Sequence, residues 1–387
     1  MTQSPFARTP LAAGAAFADR RAELARLVET WTAPGSALVL YGPRRMGKSA
    51  LLHEAARRVH RRKRPAVIVD LATAVDAPDA VRRLLVAVRS AVGHTWQSLI
   101  QAVAHRMHLS LTLSPSPDGT ALPGLSFGID PATASRATLF VDALAAVDHE
   151  LGRRKLHLAL GLDEFQRLLA WGGDDVEWAL KSVLERHGRI AWVLAGSATT
   201  LIEDMVTNKD RALWKLAEHL RLGPVTAEEF AAWITARSAE AHQRIRLETA
   251  REIVRLAGPR TRDVIALAHA TWRNTRLNRG VADAASSFDD LVRETSAPYE
   301  QSWQQLTQRE QRILRLLASR PAVALSSERV RHDHSLGAAS SVTVALAGLR
   351  KKGILCEADR TPAFDDPFFR RWVELGTADD LGPASVS

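Results

Sequence analysis

The sequence predicts an α/β fold: a parallel β-sheet wrapped on both faces by helices, followed by a helical lid and a winged-helix domain. Three observations carry that expectation. Gly42-Pro43-Arg44-Arg45-Met46-Gly47-Lys48-Ser49 fits the phosphate-loop pattern G-x-x-x-x-G-K-[ST] at every defined position. A later apolar run, Leu156 to Leu162, closes on the adjacent acids Asp163 and Glu164. Past Pro224 the strand signal disappears, and near the C-terminus three helical stretches lead into two short strand-like runs.

Taken in order, Phe17 to Trp31 reads as an amphipathic helix with Leu24, Leu27 and Val28 on one side. Ala37–Tyr41 reads as a buried strand, Ala50–Ala56 as the start of a helix, and Ala66–Leu71 as a second buried strand. A long helical region covers about Asp79 to Arg106. Leu109–Leu113 then alternates with period two, Ser114–Gly119 breaks the chain, and Leu122–Ile129 is again strand-like. That pattern fits a hairpin inserted at 109–129 and equally a flexible loop. A helix over Ala134–Gly152 leads into the third strand, Val176–His187 is helical, and Ile190–Ala195 is a fourth strand. Strands alternating with helices specify a parallel sheet.

Ala227–Ser238, Glu248–Ala257 and Arg262–Arg273 form the helical lid. Helices over Gln308–Ser319, Ser326–His332 and Ser340–Lys352 precede Gly353–Glu357 and Pro362–Phe364, two short strands around Asp359-Arg360-Thr361. The expected domains are a disordered lead-in at 1–16, the core at 17–223, the lid at 224–298, the winged helix at 299–375 and a disordered tail at 376–387.

A chain of 387 residues exceeds one ordinary domain. Its 46% apolar and 25% charged content is that of a soluble globular protein, and no run approaches the roughly 18 apolar residues of a membrane span. Leu11–Phe17 is too short and too soon followed by charge to read as a secretory signal. The single cysteine, Cys356, excludes an internal disulfide framework and fits a reducing, cytoplasmic setting. The net charge of +9 hints at a polyanionic partner. Its densest block, Arg57-Arg58-Val59-His60-Arg61-Arg62-Lys63-Arg64, closes the helix after the phosphate loop. Complementing the helix dipole and contacting nucleic acid are both open there.

The loop explains itself chemically. Glycine lets the backbone approach an anion, successive N–H groups point inward, and the following helix offers its positive end. Residues Gly42 to Ala50 would line the phosphates, with Lys48 reaching the terminal ones and the Ser49 hydroxyl serving as a magnesium ligand. Asp163 would hold the magnesium through its water shell, and Glu164 would orient or deprotonate the attacking water. In isolation the same two acids would read as a helix N-cap pair. Ser197, at the end of the fourth strand, is the candidate to contact the water or the γ-phosphate, with Thr199 second; an N-cap role there is compatible.

With these residues in view, the segments YGPRRMGKSALL, LGLDEFQRLL and LAGSATTLIEDM resemble the prokaryotic AAA-type, STAND-like and origin-recognition-related ATPases often called archaeal ATPases. The resemblance runs from about Phe17 to Glu374. It implies a P-loop NTPase sheet of ASCE/AAA type, with ATP and Mg2+ as cofactors and ATP hydrolysis as the activity. It also implies an entry segment, Phe17 to Leu24, that lays Arg20 near the adenine. The family's phosphate-sensing arginine is replaced here by Lys215, with Arg211 one helical turn upstream as an alternative. Arg260 or Arg262 would be a second sensor. The implied partners are ATP/ADP and, through the winged helix, double-stranded DNA or a protein; a nucleotide-dependent homo-oligomer is also open.

The helix expected to recognise DNA begins Gly337-Ala338-Ala339-Ser340-Ser341-Val342-Thr343, short in the long polar side chains that read bases. Arg350, Lys351 and Lys352 lie at its far end, and Arg329, Arg331, His332 and Arg360 are further candidates for phosphate contact. That composition fits weakly sequence-specific, salt-dependent binding, or docking of a protein.

Overall fold

The computed structural model describes residues 4–6, 20–92, 96–114, 124–128, 133, 136–186, 188–241, 244–277, 283–321, 323–358 and 361–380. The chain divides into two compact units. One is Thr9–Val225; the other joins Met1–Arg8 to Thr226–Ser387.

The first unit is built on five parallel strands. These are β1 (Ala37–Tyr41), β2 (Ala66–Asp70), β5 (Leu158–Asp163), β6 (Ile190–Gly196) and β7 (Glu218–Arg221), in the order β2-β5-β6-β1-β7. Strand alternation divides their side chains between two cores. Leu38, Leu40, Ala159, Ala191 and Val193 face the helices Arg21–Thr32 and Lys48–Arg61, joining Leu24, Leu27, Leu51 and Leu52. Val39, Leu160, Leu162, Trp192 and Leu194 face the other way, against Val81, Leu84, Phe140, Leu144 and Leu180. Each fully buried leucine stabilises the fold by about 1.5–3 kcal/mol over leaving it in water.

β7 departs from the four-strand expectation. Glu218-His219-Leu220-Arg221 is polar and largely exposed, so no hydrophobic run marks it; it is an edge strand held by pairing with β1. The hairpin is present as β3 (Ser110–Ser114) and β4 (Gly124–Gly128), paired antiparallel; residues 115–123 and 129 lie outside the described ones. The helical region over 79–106 is two helices, Ala77–Ala91 and Trp96–Arg106. The helix expected from Ala134 begins at Leu139, after a turn at Ala137 and Thr138. Leu169–Arg186 is interrupted at Gly172 and Gly173, whose backbone is not helical.

In the second unit, Ala227–Glu240, Leu247–Ala257, Thr261–Leu277 and Ala284–Glu294 precede the winged helix. The winged helix comprises Gln308–Ser319, Glu328–Asp333, Ala339–Lys351 and the antiparallel pair β8 (Leu355–Ala358) and β9 (Thr361–Phe364). Its first helix opens with a capping box in which Thr307 and Glu310 satisfy each other's backbone N–H. Lys352 Nζ adds bonds of 2.8 and 2.9 Å to the Glu310 carboxylate.

The last helix, Pro367–Asp380, extends beyond the expected end of the winged helix at 375 and packs back onto the lid. Phe368 lies edge-on to Phe288 at 4.8 Å, and Arg371 grips Asp289 with two bonds of 2.7 and 2.9 Å. At the other terminus, Ser4–Phe6 are placed rather than loose. Phe6 is buried against Trp233, Arg237 donates to the Pro5 carbonyl, and Ser4 Oγ lies 2.7 Å from His269 Nδ1. The rest of the lead-in, Arg360, and tail residues 381–387 are outside the described residues. No helix among the described residues is long and apolar enough to cross a membrane.

Candidate nucleotide site

Parallel pairing brings the strand ends level: Tyr41 is in register with Gly196, Ala195 with Asp163, and Asp163 with Asp70. All site groups of the first unit emerge at this C-terminal edge, where open α/β sheets bind ligands. β6 lies between the strand that feeds the loop and the strand that delivers the acids.

The loop is shaped by its glycines. A Cβ on Gly42 would stand 2.4 Å from the Leu222 carbonyl oxygen, so only glycine fits there. Gly47 caps the helix Lys48–Arg61 in the left-handed conformation, φ 91°, that glycine adopts without steric cost. Pro43, Arg44 and Arg45 are exposed, while Met46 is buried beneath them. Arg20 acts from behind the loop. Its buried guanidinium donates to the Met46 carbonyl at 3.1 Å, to the Gly223 carbonyl at 2.7 Å and to Glu23 at 3.2 Å. The structure therefore places Arg20 as a strut under the loop.

Lys48 is buried, and its Nζ donates to the carbonyls of Gly42 and Pro43 at 2.8 and 2.7 Å. Burial pushes its pKa below the usual lysine value, against the opposing pull of Glu164 and Asp163. Ser49 Oγ donates to Asp163 Oδ2 at 2.6 Å. Asp163 is raised above the usual carboxylate range by burial, with the charges of Glu164 and Asp70 adding to it and the Ser49 bond opposing.

Glu164 points to the other partner. Ser197 donates to its Oε2 from Oγ at 2.8 Å and from the backbone N–H at 3.3 Å, and Gln166 Nε2 donates to the same oxygen. Glu164 has φ 57° and ψ 42°, a left-handed backbone that costs a non-glycine residue roughly 1–2 kcal/mol. Such an outlier at a strand end is a recurring mark of working sites.

Gln166 escaped the sequence reading, although it stands two residues past Glu164. Gly196 makes room for it, since a Cβ there would fall 2.3 Å from Gln166 Oε1. That oxygen is buried against Gly196 without a hydrogen-bond partner among the described residues. Asp70, level with Asp163, was also unmarked.

Among the described residues, neither Arg211 nor Lys215 bonds to these groups. Arg211 grips buried Glu177 through Nε and a second nitrogen, at 3.3 and 2.5 Å, while the Ala212 N–H caps the same carboxylate. That ion pair occupies the guanidinium. Lys215 lies over the Trp214 ring at 4.6 Å, with φ 55°. Arg260, in the second unit, is ion-paired with Asp365, and Arg262 is exposed there. Thr199 Oγ1 turns back to the Ser197 carbonyl at 3.4 Å.

The donor set fits a nucleoside triphosphate with Mg2+: a cation, backbone amides, one hydroxyl and one carboxylate. Magnesium keeps several waters and takes only one or two protein oxygens beside phosphates. Among the described residues no group of three or more His, Cys, Asp or Glu forms a richer cage.

Comparison with known proteins agrees with this geometry. Residues 17–264 match a family described as the ATPase domain predominantly from Archaea, and residues 297–375 match a probable winged helix domain. No curated protein matches the chain. Among solved structures, the Walker-type ATPase PABY2304 of Pyrococcus abyssi is 18% identical, with 96% of this chain and 99% of that one covered at a TM-score of 0.60. The Aeropyrum pernix ORC2 protein in ADPNP-ADP complexes is 16% identical, with 98% of each chain covered at 0.57. At those identities the likeness shows a shared fold. The family match covers well over half of the chain, and the protein belongs to the family of ATPase domains found predominantly in Archaea, here followed by a winged helix.

Proposed function

We propose that this protein hydrolyses ATP with Mg2+ and uses the nucleotide as a switch that controls a contact made by its winged helix. One observation carries the reading: the two adjacent acids are divided, Asp163 to the loop hydroxyl of Ser49 and Glu164 to the strand-end hydroxyl of Ser197. A metal ligand and a water-activating base need that separation.

On this reading Lys48 leaves the loop carbonyls to neutralise the terminal phosphates, and its buried position strengthens the attraction. Ser49 and Asp163 would hold Mg2+, which spreads negative charge off the β- and γ-phosphates when bound. Glu164 accepts a proton from the attacking water, while Ser197 would fix that water's orientation and Gln166 holds the Glu164 carboxylate. The Pro43, Arg44, Arg45 and Ala50 backbone lines the phosphates, and Arg20 keeps the loop shaped for them. Lys215, its fork lost relative to arginine, remains the exposed candidate for a neighbouring copy's phosphate.

For the winged helix, weakly specific duplex DNA contact is the first reading. Arg329 and His332 extend almost fully into solvent, while the middle of the following helix offers Thr343 and Val344 rather than long polar side chains. The 73% exposure of Val344 favours a second reading, in which that face docks a protein. We place the protein in the cytoplasm and in the STAND-like group on the sequence grounds given above.

The test is steady-state turnover with Mg-ATP. Glu164→Gln should lower the rate about 100- to 10,000-fold and leave ATP affinity within about threefold. A variant that still turns over at the parental rate would refute the assignment of the base.

A further inference from the structure

A second surface lies at the edge of the sheet opposite the nucleotide site. In a parallel sheet every helix-to-strand connection falls at the N-terminal edge, so segments remote in sequence become neighbours. Three such connections, at 54–64, 148–157 and 185–190, lead into β2, β5 and β6, which are adjacent. The backbone sews them together: Ala159 N–H donates to the Pro65 carbonyl at 2.9 Å, and Leu158 N–H to the Arg189 carbonyl at 3.0 Å. Arg189 and His157 also meet, at 3.4 Å.

These segments hold eleven lysines and arginines against four acids, and so +7 of the chain's +9. Three of the acids, Glu54, Asp148 and Glu150, are buried, whereas Arg61, Arg62, Lys63, Arg153, Lys155 and Arg186 are exposed. Glu54 pairs with Arg57 and Arg58, and Glu150 with Arg153 and Arg154, so the excess is carried outward chiefly by Arg61, Arg62, Lys63, Arg64, Lys155 and Arg186. Helix-dipole complementation explains a cation or two per helix end; it does not explain three ends converging.

The lysines add a second argument. Lys63 and Lys155 each end a helix at φ 59° and φ 56°. That left-handed position normally belongs to glycine or asparagine. In two neighbouring connections the sequence keeps a charge where glycine would relieve the backbone.

We propose that this edge is a sequence-independent binding surface for the phosphate backbone of duplex nucleic acid, separate from the winged helix. Nine of the eleven cations are arginines, whose planar forks suit phosphate oxygens. None of the large exposed hydrophobic residues among the described ones lies in these segments, so the edge offers neither a membrane-inserting anchor nor a stacking platform for single strands. The strands that these connections enter are adjacent, about 4.8 Å apart, and their helices lie on both faces of the sheet, so the cations line this edge across its thickness.

The test uses the full-length protein without nucleotide and a labelled mixed-sequence duplex of about 30 base pairs, from about 50 to 200 mM salt. The combined variant Arg61→Gln, Arg62→Gln, Lys63→Gly and Lys155→Gly should bind at least about tenfold more weakly, with the slope of log K against log salt reduced by about 3.6. The double variant Lys63→Gly and Lys155→Gly should lose about 1.8 of that slope while its unfolding midpoint stays or rises. An unchanged slope in both variants would overturn the proposal, as would a wild-type protein that ignores the duplex. So would phosphatidylserine vesicles that lose the variant while the duplex keeps it.

Discussion

Two buried carboxylates, Asp163 in the nucleotide unit and Glu310 in the winged helix, are treated in opposite ways. Burial disfavours the charge on both. At Glu310 the cost is outweighed by Lys352 and by the Thr307 N–H and hydroxyl, so its pKa lies below the usual value. At Asp163 the Ser49 hydroxyl and one backbone N–H help, but burial outweighs them and Glu164 and Asp70 add negative charge, so its pKa lies above the usual value. Glu310 is a finished structural bond. Asp163 carries no direct ion pair among the described residues and feels the nearby Lys48 charge only at a distance, which leaves its oxygens open to a metal. Glu177, clamped by Arg211 and the Ala212 N–H, is likewise engaged in structural bonds.

The comparison breaks most easily at Lys48, a buried cation near Asp163. Lys48→Met should weaken ATP binding roughly 100-fold, measured by calorimetry, because a charged hydrogen-bonding partner of the phosphates is lost. The fold should survive, since no buried acid depends on that amine alone. Next in size, Glu310→Ala should destabilise the second unit by about 2 kcal/mol in denaturant unfolding, through loss of the capping box and its lysine bond. ATP affinity should not move.

Acid should separate the two sites in a fixed order. Asp163, its folded pKa raised, gains protons at higher pH than a free aspartate, so Mg-ATP affinity should fall early on acidification. Glu310, its folded pKa lowered, contributes stability that is complete above the unfolded carboxylate value and is lost as pH falls through the lower folded one. Affinity measured by titration should therefore fail before the winged helix unfolds in circular dichroism. The reverse order would mean that the two environments have been misassigned.

The same contrast marks what could be read from the sequence. Gly42 to Ser49 was legible because each letter answers a local backbone demand, and Asp163-Glu164 because an apolar strand ends on them. Gly196 making room for Gln166, Arg211 paired with Glu177, and Arg371 with Asp289 link positions 30 or more apart and leave no periodic trace. β7 was invisible for another reason: an edge strand that packs only Leu220 against the core shows no hydrophobic alternation. Phe6, the one large apolar side chain between Met1 and Leu11, reveals its burial only through its aromatic partners.

Arg20 gives the loop a mechanical outlet. Its guanidinium bridges the Met46 and Gly223 carbonyls, and the Leu222 carbonyl stands against Gly42. Two residues after Gly223 the chain leaves this unit. One buried side chain and one close approach thus tie the loop's backbone to the segment by which the chain leaves this unit.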